Sequence, residues 1–259
     1  MPLIAIDEPM EGVRRLTFDR PDKLNALSTP MIAELEAALD EIAGSSVRVV
    51  ILRGAGGRAF VAGADIAEYR GDRRAAFVAY QRTARRVFEK IERLPQPVIA
   101  AVRGFALGGG FEIALCCDIL VLSQDAQLGL PEGRLGLVPG GGGTQRLTRA
   151  VGKHAASEVM LAGWRLGAER AFQLGLAAAV EEDPDEGALR YARACLKVAP
   201  EPQAEMKRLI REGADAPLDS GLSYEQEVLF RLYSTRDGQE GVAAFLDKRD
   251  PEFRGREDG

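Results

Sequence analysis

The chain has little of several things that chemistry often relies on. It has one histidine, His154, so no multi-histidine metal site can be assembled within one chain. It has three cysteines; Cys116 and Cys117 are adjacent and cannot readily pair, and no Cys-x-x-Cys spacing occurs. A disulfide framework is therefore not expected, and a reducing compartment, the cytoplasm, fits best. No apolar run reads as a membrane span: the most apolar window, 105–123, carries Glu112, Asp118 and three glycines. The opening M-P-L-I-A-I-D-E-P-M-E-G has no basic segment and no long apolar run, so no signal peptide is expected. A basic surface is missing too. A net charge of −5 and a pI near 5.2 weigh against a nucleic-acid binder, including a non-catalytic RNA-associated protein. The arginines of 82–86 are interleaved with apolar residues at helical spacing and read as a solvated helix face.

What is present fits one core with an appendage, given 259 residues. Residues 3–6 and 13–19 alternate like two strands. Ser28-Thr29-Pro30 opens a helix with a cap and an early proline. Met31, Ile32, Leu35, Leu39 and Ile42 carry the apolar spacing of that helix, and Gly44 stops it. The β-branched run 47–53 reads as a buried strand. The G-A-G-G-R-A that follows, 54–59, fits a loose dinucleotide fingerprint, but no helix opens at once behind it, so a nicotinamide dehydrogenase is rejected. A charged helix is predicted over about 73–93, a buried strand over 97–103, a helix over 108–117 and a strand over 119–123. A short extended piece, 127–130, follows. Helices are then predicted over 143–151, 154–162 and 168–174, with a last strand over 177–180. Beyond Pro184 the pattern is helical, at 185–198, 201–213, 219–234 and 238–248, with a polar, frayed tail over 251–259. Strand-strand-helix units therefore fill 1–182, and helices fill 183–259.

The stretch 102–146 stands out. Two glycine clusters, at 108–110 and 140–143, flank two acids, Glu112 and Glu132. Glycines that follow a strand and open a helix place free N–H groups at the positive end of the helix dipole, where an oxyanion can be held. Close packing of helix on strand explains them equally well. The second cluster lacks the lysine of a phosphate loop, with Gln145-Arg146 in its place, so a nucleoside-triphosphate site is rejected. Glu112 sits in the first turn of its predicted helix, where an acid suits the dipole. Its apolar neighbours Phe111, Ile113, Ala114 and Leu115 also suit a poorly solvated acid-base group. Glu132, in a loop after Pro131, would ordinarily be solvated. Two carboxylates in different environments can divide acid and base roles.

Six strings together resemble the enoyl-CoA hydratase (crotonase) family: R-P-D-K-L-N-A-L (20–27), A-F-V-A-G-A-D-I (59–66), V-R-G-F-A-L-G-G-G-F-E-I-A-L-C-C-D-I (102–119), L-G-L-P-E (128–132), G-L-V-P-G-G-G-G-T-Q-R-L-T-R-A-V-G (136–152) and E-G-V-A-A-F-L-D-K-R (240–249). The resemblance covers nearly the whole chain. It implies an α/β fold, a spiral of repeated β-β-α units with a helical C-terminal region that packs subunits into homotrimers or hexamers. It implies an oxyanion hole from the N–H groups of Ala64 and Gly109, with Glu112 and Glu132 as the two hydratase glutamates. Gly140 would help hold the water. Ala62, Asp65 and Ile66 would form the wall that receives the adenine end of coenzyme A, and Lys248 or Arg249 would reach the coenzyme A of a neighbouring subunit. Residues 67–80 fall in the family's acyl wall. The implied activity is hydration of a 2-trans-enoyl-CoA thioester, with an enoyl-CoA isomerase or a methylglutaconyl-CoA-type branched hydratase as alternatives. No cofactor is expected, since coenzyme A is part of the substrate.

Overall fold

Runs of β-branched and aliphatic residues bounded by glycine or proline build the centre of the molecule as strands buried on both faces. The computed structural model describes residues 2–69 and 74–255. The chain opens with a hairpin of β1 (Ile4–Met10) and β2 (Val13–Phe18), followed by α1 (Thr29–Ala43). Three β-β-α turns come next. The first is β3 (Val49–Gly54), β4 (Ala59–Val61) and α2 (Arg74–Arg93). The second is β5 (Val98–Val102), β6 (Phe105–Leu107) and α3 (Gly109–Cys116). The third is β7 (Ile119–Ser123), β8 (Gln127–Gly129) and α4 (Gly143–Leu161). After these lie β9 (Leu166–Gly167), α5 (Ala168–Gln173), β10 (Ala179–Glu181) and four helices: α6 (Pro184–Leu196), α7 (Pro200–Gly213), α8 (Leu218–Tyr233) and α9 (Arg236–Asp247).

Pairing shows why this is a spiral. The longer strands form one six-stranded sheet in the order β1-β2-β3-β5-β7-β10, and the short ones a second in the order β4-β6-β8-β9. β3, β5 and β7 pair parallel in sequence, and so do β4, β6 and β8. Each turn of chain thus advances one strand in both sheets. The expected fold class is the one observed. The short second sheet is the part that sequence patterning missed in 59–61 and 105–107, because strands of three residues are too brief to show an alternation.

Local chemistry sets the boundaries. Ser28 caps α1, its hydroxyl accepting from the Met31 N–H, and the predicted apolar positions of the helix are all buried. α2 runs from Arg74, so the predicted start at Arg73 lies outside the described residues, as do 70–73 of the acyl wall and 256–259 of the tail. Its inner face buries Ala84, Val87, Phe88 and Ile91, while Arg86 and Lys90 reach across to Glu36 on α1. α4 breaks at Gly152 (φ 77°, ψ 165°), where the sequence predicts two helices, and His154 lies exposed just beyond. α6 covers the outer face of the large sheet with Ala188 and Ala192 against Val49, Ile51 and Val121.

One buried polar residue escaped the sequence reading. Asn25 is fully buried with φ 58°, and its Nδ2 donates to the carbonyls of Ala55, Ala59 and Phe60 at 3.0, 2.9 and 3.2 Å. Its Oδ1 accepts from the Arg20 N–H at 2.9 Å. Asn tolerates the left-handed region better than most residues. This side chain fixes the 55–60 turn that delivers β4. Asn25→Ala strips the donor from buried carbonyls and is expected to cost about 2–4 kcal/mol, measured as a shift in the denaturant midpoint at constant m. A loss below about 0.5 kcal/mol, the usual range for surface changes, would refute this role.

Candidate active site

The site begins where α3 meets β4. A Cβ on Gly110 would stand 2.0 Å from the Val61 carbonyl oxygen, so only glycine lets the helix lie this close to the strand. Gly108, the residue before the helix, holds φ 51° and ψ −126°, a conformation open to glycine alone. Gly109 is the first residue of α3, so its N–H has no partner within the helix. The second backbone donor comes from the segment after β4. Leu27 N–H donates to the Gly63 carbonyl and Asp65 N–H to the Leu27 carbonyl, both at 2.8 Å. Along such a parallel bridge the intervening Ala64 N–H points the other way. It has no backbone acceptor among the described residues. Both Ala64 and Gly109 line a cavity of about 360 Å³.

Glu112 lines the same cavity one turn into α3, and only 3% of the residue is exposed. Its Oε1 accepts from the N–H groups of Gly141 and Gly143, each at 2.8 Å. These two bonds orient the carboxylate. Burial raises its pKa, and the Gly143 and Gly141 bonds partly offset that rise. A Cβ on Gly141 would fall 2.6 Å from the Phe88 ring and 2.7 Å from Glu112 Oε2, so the loop must be bare there. Arg146 holds the loop from behind: its Nη1 donates to the Gly141 carbonyl at 2.8 Å, and its Nε and Nη2 pair with Glu92 at 3.1 and 2.7 Å.

Glu132 faces Glu112 across the cavity from a 3-10 turn, Pro131–Leu135. It is half-buried rather than solvated, and its buried Oε2 has no hydrogen-bond partner among the described residues. Burial first, and then the charge of Glu112, push its pKa up to about 7. An acid of this kind is half-protonated at neutral pH and can hand a proton either way.

The remaining predicted residues divide. Gly140 lines the cavity, but the N–H groups that hold Glu112 are those of Gly141 and Gly143. Ala62 and Ile66 line it as well. Asp65 does not: its carboxylate accepts from Arg20 Nη1 at 2.7 Å and from the Ala67 N–H at 3.2 Å. Lys248 caps α9 in the left-handed conformation, exposed and away from this cavity, and Arg249 pairs with Glu240. An aromatic and amide wall also lines the cavity: Tyr69, Phe77 and Tyr80 fall in the 67–80 segment expected to do so, whereas Gln81 and Phe88 were passed over. The spacing of Gln81, Ala84 and Phe88 on one face of α2 was the available signal.

A larger cleft, about 680 Å³, lies between the end of α1, the turn before β5 and α7. It holds Arg93, Lys207 and Arg211 but neither glutamate and no glycine-opened helix, so chemistry belongs to the smaller cavity. Among the described residues no group of three or more His, Cys, Asp and Glu could hold a metal ion, and no helix is long and apolar enough to cross a membrane.

Known proteins carry the same architecture. The profile of the enoyl-CoA hydratase/isomerase family matches residues 8–256. A short-chain-enoyl-CoA hydratase of Clostridium acetobutylicum is 39% identical over 237 residues, 90% of this chain and 91% of that one. The mitochondrial methylglutaconyl-CoA hydratase of Mus musculus is 37% identical, over 96% of this chain and 82% of its own. The crystal structure of an enoyl-CoA hydratase from Bacillus anthracis superposes with a TM-score of 0.95 at 36% identity, covering 98% of this chain and 100% of that one. The glycine-opened helix, the two cavity carboxylates and these likenesses converge: the chain is an enzyme of the enoyl-CoA hydratase/isomerase family.

Proposed function

We propose that the protein is an enoyl-CoA hydratase, adding water reversibly and syn to a 2-trans-enoyl-CoA to give a 3-hydroxyacyl-CoA. The observation that carries this reading is the pair of carboxylates in unlike environments, in one cavity with two free backbone donors. The N–H groups of Ala64 and Gly109 donate to the thioester carbonyl and stabilise the enolate that forms as water adds at the β-carbon. Glu112, oriented by the glycine loop, accepts the proton of the attacking water. Glu132, protonated beforehand, delivers its proton to the α-carbon. Addition leaves Glu112 protonated and Glu132 ionised, and proton exchange with solvent resets them. In dehydration the roles reverse. The step as written needs no metal or redox cofactor. Ala62, Asp65 and Ile66 form the wall for the adenine end of coenzyme A, with Asp65 behind the cavity surface and held by Arg20. Lys248 or Arg249 reaches the coenzyme A of a neighbouring subunit.

A homotrimer, or a hexamer of two trimers, belongs to the same reading. Its support is the apolar surface of the last helices, where Leu218, Phe230, Phe245 and Leu246 are 77, 64, 83 and 72% exposed. Sedimentation is expected to give a multiple of three of the 27.9 kDa chain. A cytoplasmic location is supported by three free cysteines. The branched alternative, a methylglutaconyl-CoA-type hydratase, draws on the mouse relative, and kcat/KM on competing substrates separates the two.

Two outcomes test the chemistry. Glu112→Gln and Glu132→Gln should each lower kcat for crotonyl-CoA by roughly 10²–10⁴-fold, followed as loss of enoyl-thioester absorbance. Full activity in either variant would falsify the assigned roles. The pH dependence should be the same in both directions, because hydration has no net proton change and its equilibrium constant fixes the ratio of the two kcat/KM values at every pH. The working pair shares one proton between its two carboxylates, so kcat/KM for hydration and for dehydration should both fall as pH rises through about 7. Stability follows the same titration. The folded pKa of Glu132 lies above its ordinary value of 4.5, so the folded state binds the proton more tightly. The contribution is complete below 4.5 and is lost as pH rises through about 7. Glu132→Gln should therefore stabilise the protein above pH 7 by about 1–3 kcal/mol, seen as a Tm gain at pH 8 that is absent at pH 4.

A further inference from the structure

We infer that Gln81 closes the acyl end of the cavity and restricts the enzyme to short acyl chains. This inference rests on the hydratase reading for the direction in which the substrate lies. The thioester carbonyl sits between Ala64 and Gly109 and the β-carbon beside Glu112, so the rest of the acyl chain continues past Glu112. Gln81 stands there. Its Nε2 donates to the Tyr69 hydroxyl at 3.0 Å. Its Oε1 lies against the next wall, where a Cβ on Gly140 would be 2.6 Å away. One side chain thus spans α2, the 3-10 turn Ile66–Tyr69 and the glycine loop. Gly140 directly precedes Gly141, whose N–H holds Glu112. Adjacent Cα atoms are about 3.8 Å apart, so only a few methylene groups fit between Glu112 and this bar.

The bar is braced. The Tyr69 ring packs edge-on against Phe77 and Tyr80, with centroids 5.0 and 5.7 Å apart. The Tyr80 hydroxyl donates to the Leu27 carbonyl at 3.1 Å, the same carbonyl that accepts from Asp65 N–H. The wall that limits the acyl chain is therefore tied to the segment carrying the Ala64 donor. One turn along α2 from Gln81 is Ala84, which also lines the cavity. A shortened residue 81 opens the space in front of Ala84 and between the two loops. Bulk at position 81, more than its amide, then sets the limit.

The test compares crotonyl-CoA with 2-decenoyl-CoA in the full-length enzyme and in Gln81→Ala and Gln81→Met. The wild type should favour crotonyl-CoA in kcat/KM by about 10-fold or more. Gln81→Ala should shift that ratio toward the longer substrate by about 10-fold or more. Gln81→Met, similar in length but without the amide, should keep the wild-type ratio. A binding arm uses butyryl-CoA and decanoyl-CoA, which do not turn over, and reads the ratio of their Kd values. A shift of that ratio in Gln81→Ala with no hydration of any substrate sinks the hydratase reading and upholds the acyl limit. A flat wild-type profile, or a Gln81→Ala ratio within about 2-fold of wild type in both arms, overturns the inference.

Discussion

The carbonyl oxygen of Val61 occupies the place where a side chain on residue 110 would begin. Everything in the site depends on that contact. Because no atom separates α3 from β4, the first N–H of the helix and the N–H of Ala64, three residues past Val61, share one cavity. A methyl group at position 110 would push the helix off the strand and part the two donors. Backbone donors hold their aim without rotamer freedom, so their precision is the precision of the sheet. The start of β4 is in turn held by Asn25, whose one amide group collects the carbonyls of Ala55, in the turn before the strand, and of Ala59 and Phe60 within it.

The two carboxylates show how environment separates like groups. Both are pushed toward the protonated form by burial. Glu112 receives two backbone donors on one oxygen, from a loop that Arg146 grips at the Gly141 carbonyl. Glu132 has none for its buried Oε2 among the described residues. More N–H partners leave a carboxylate more of its charge, and a buried oxygen without one favours the proton. The difference between the two carboxylates is thereby written into the loops, since the side chains are identical.

Much of this was legible before the fold was known. The strand-strand-helix order, the cap and proline of α1 and the break near Gly152 followed from spacing and punctuation, whereas the pairing of the two glutamates came only with the family resemblance. The neighbours of Glu112 announced its burial. Glu132 was harder, because its burial comes from residues on other elements, and a loop acid carries no local mark of that. The anchoring of Glu112 by Gly141 and Gly143 was not legible, since a run of four glycines has no side chains to tell its members apart. Asn25 and Gln81 were missed for a related reason. Each acts through contacts to distant segments, and neither a turn asparagine nor a helical glutamine has a pattern that reports such contacts.

The spiral also has a bearing on descent. Its parts are distributed by turn: the Ala64 donor follows β4 of the first, Gly109 and Glu112 open the helix of the second, and Glu132 with the glycine loop follows β8 of the third. The segment that shapes the acyl wall, from the Ile66–Tyr69 turn into α2, belongs to the first turn alone. The two carboxylates and the aromatic wall therefore reside in different stretches of the gene. Changes in α2 can reshape one wall of the cavity while the second and third turns stay as they are.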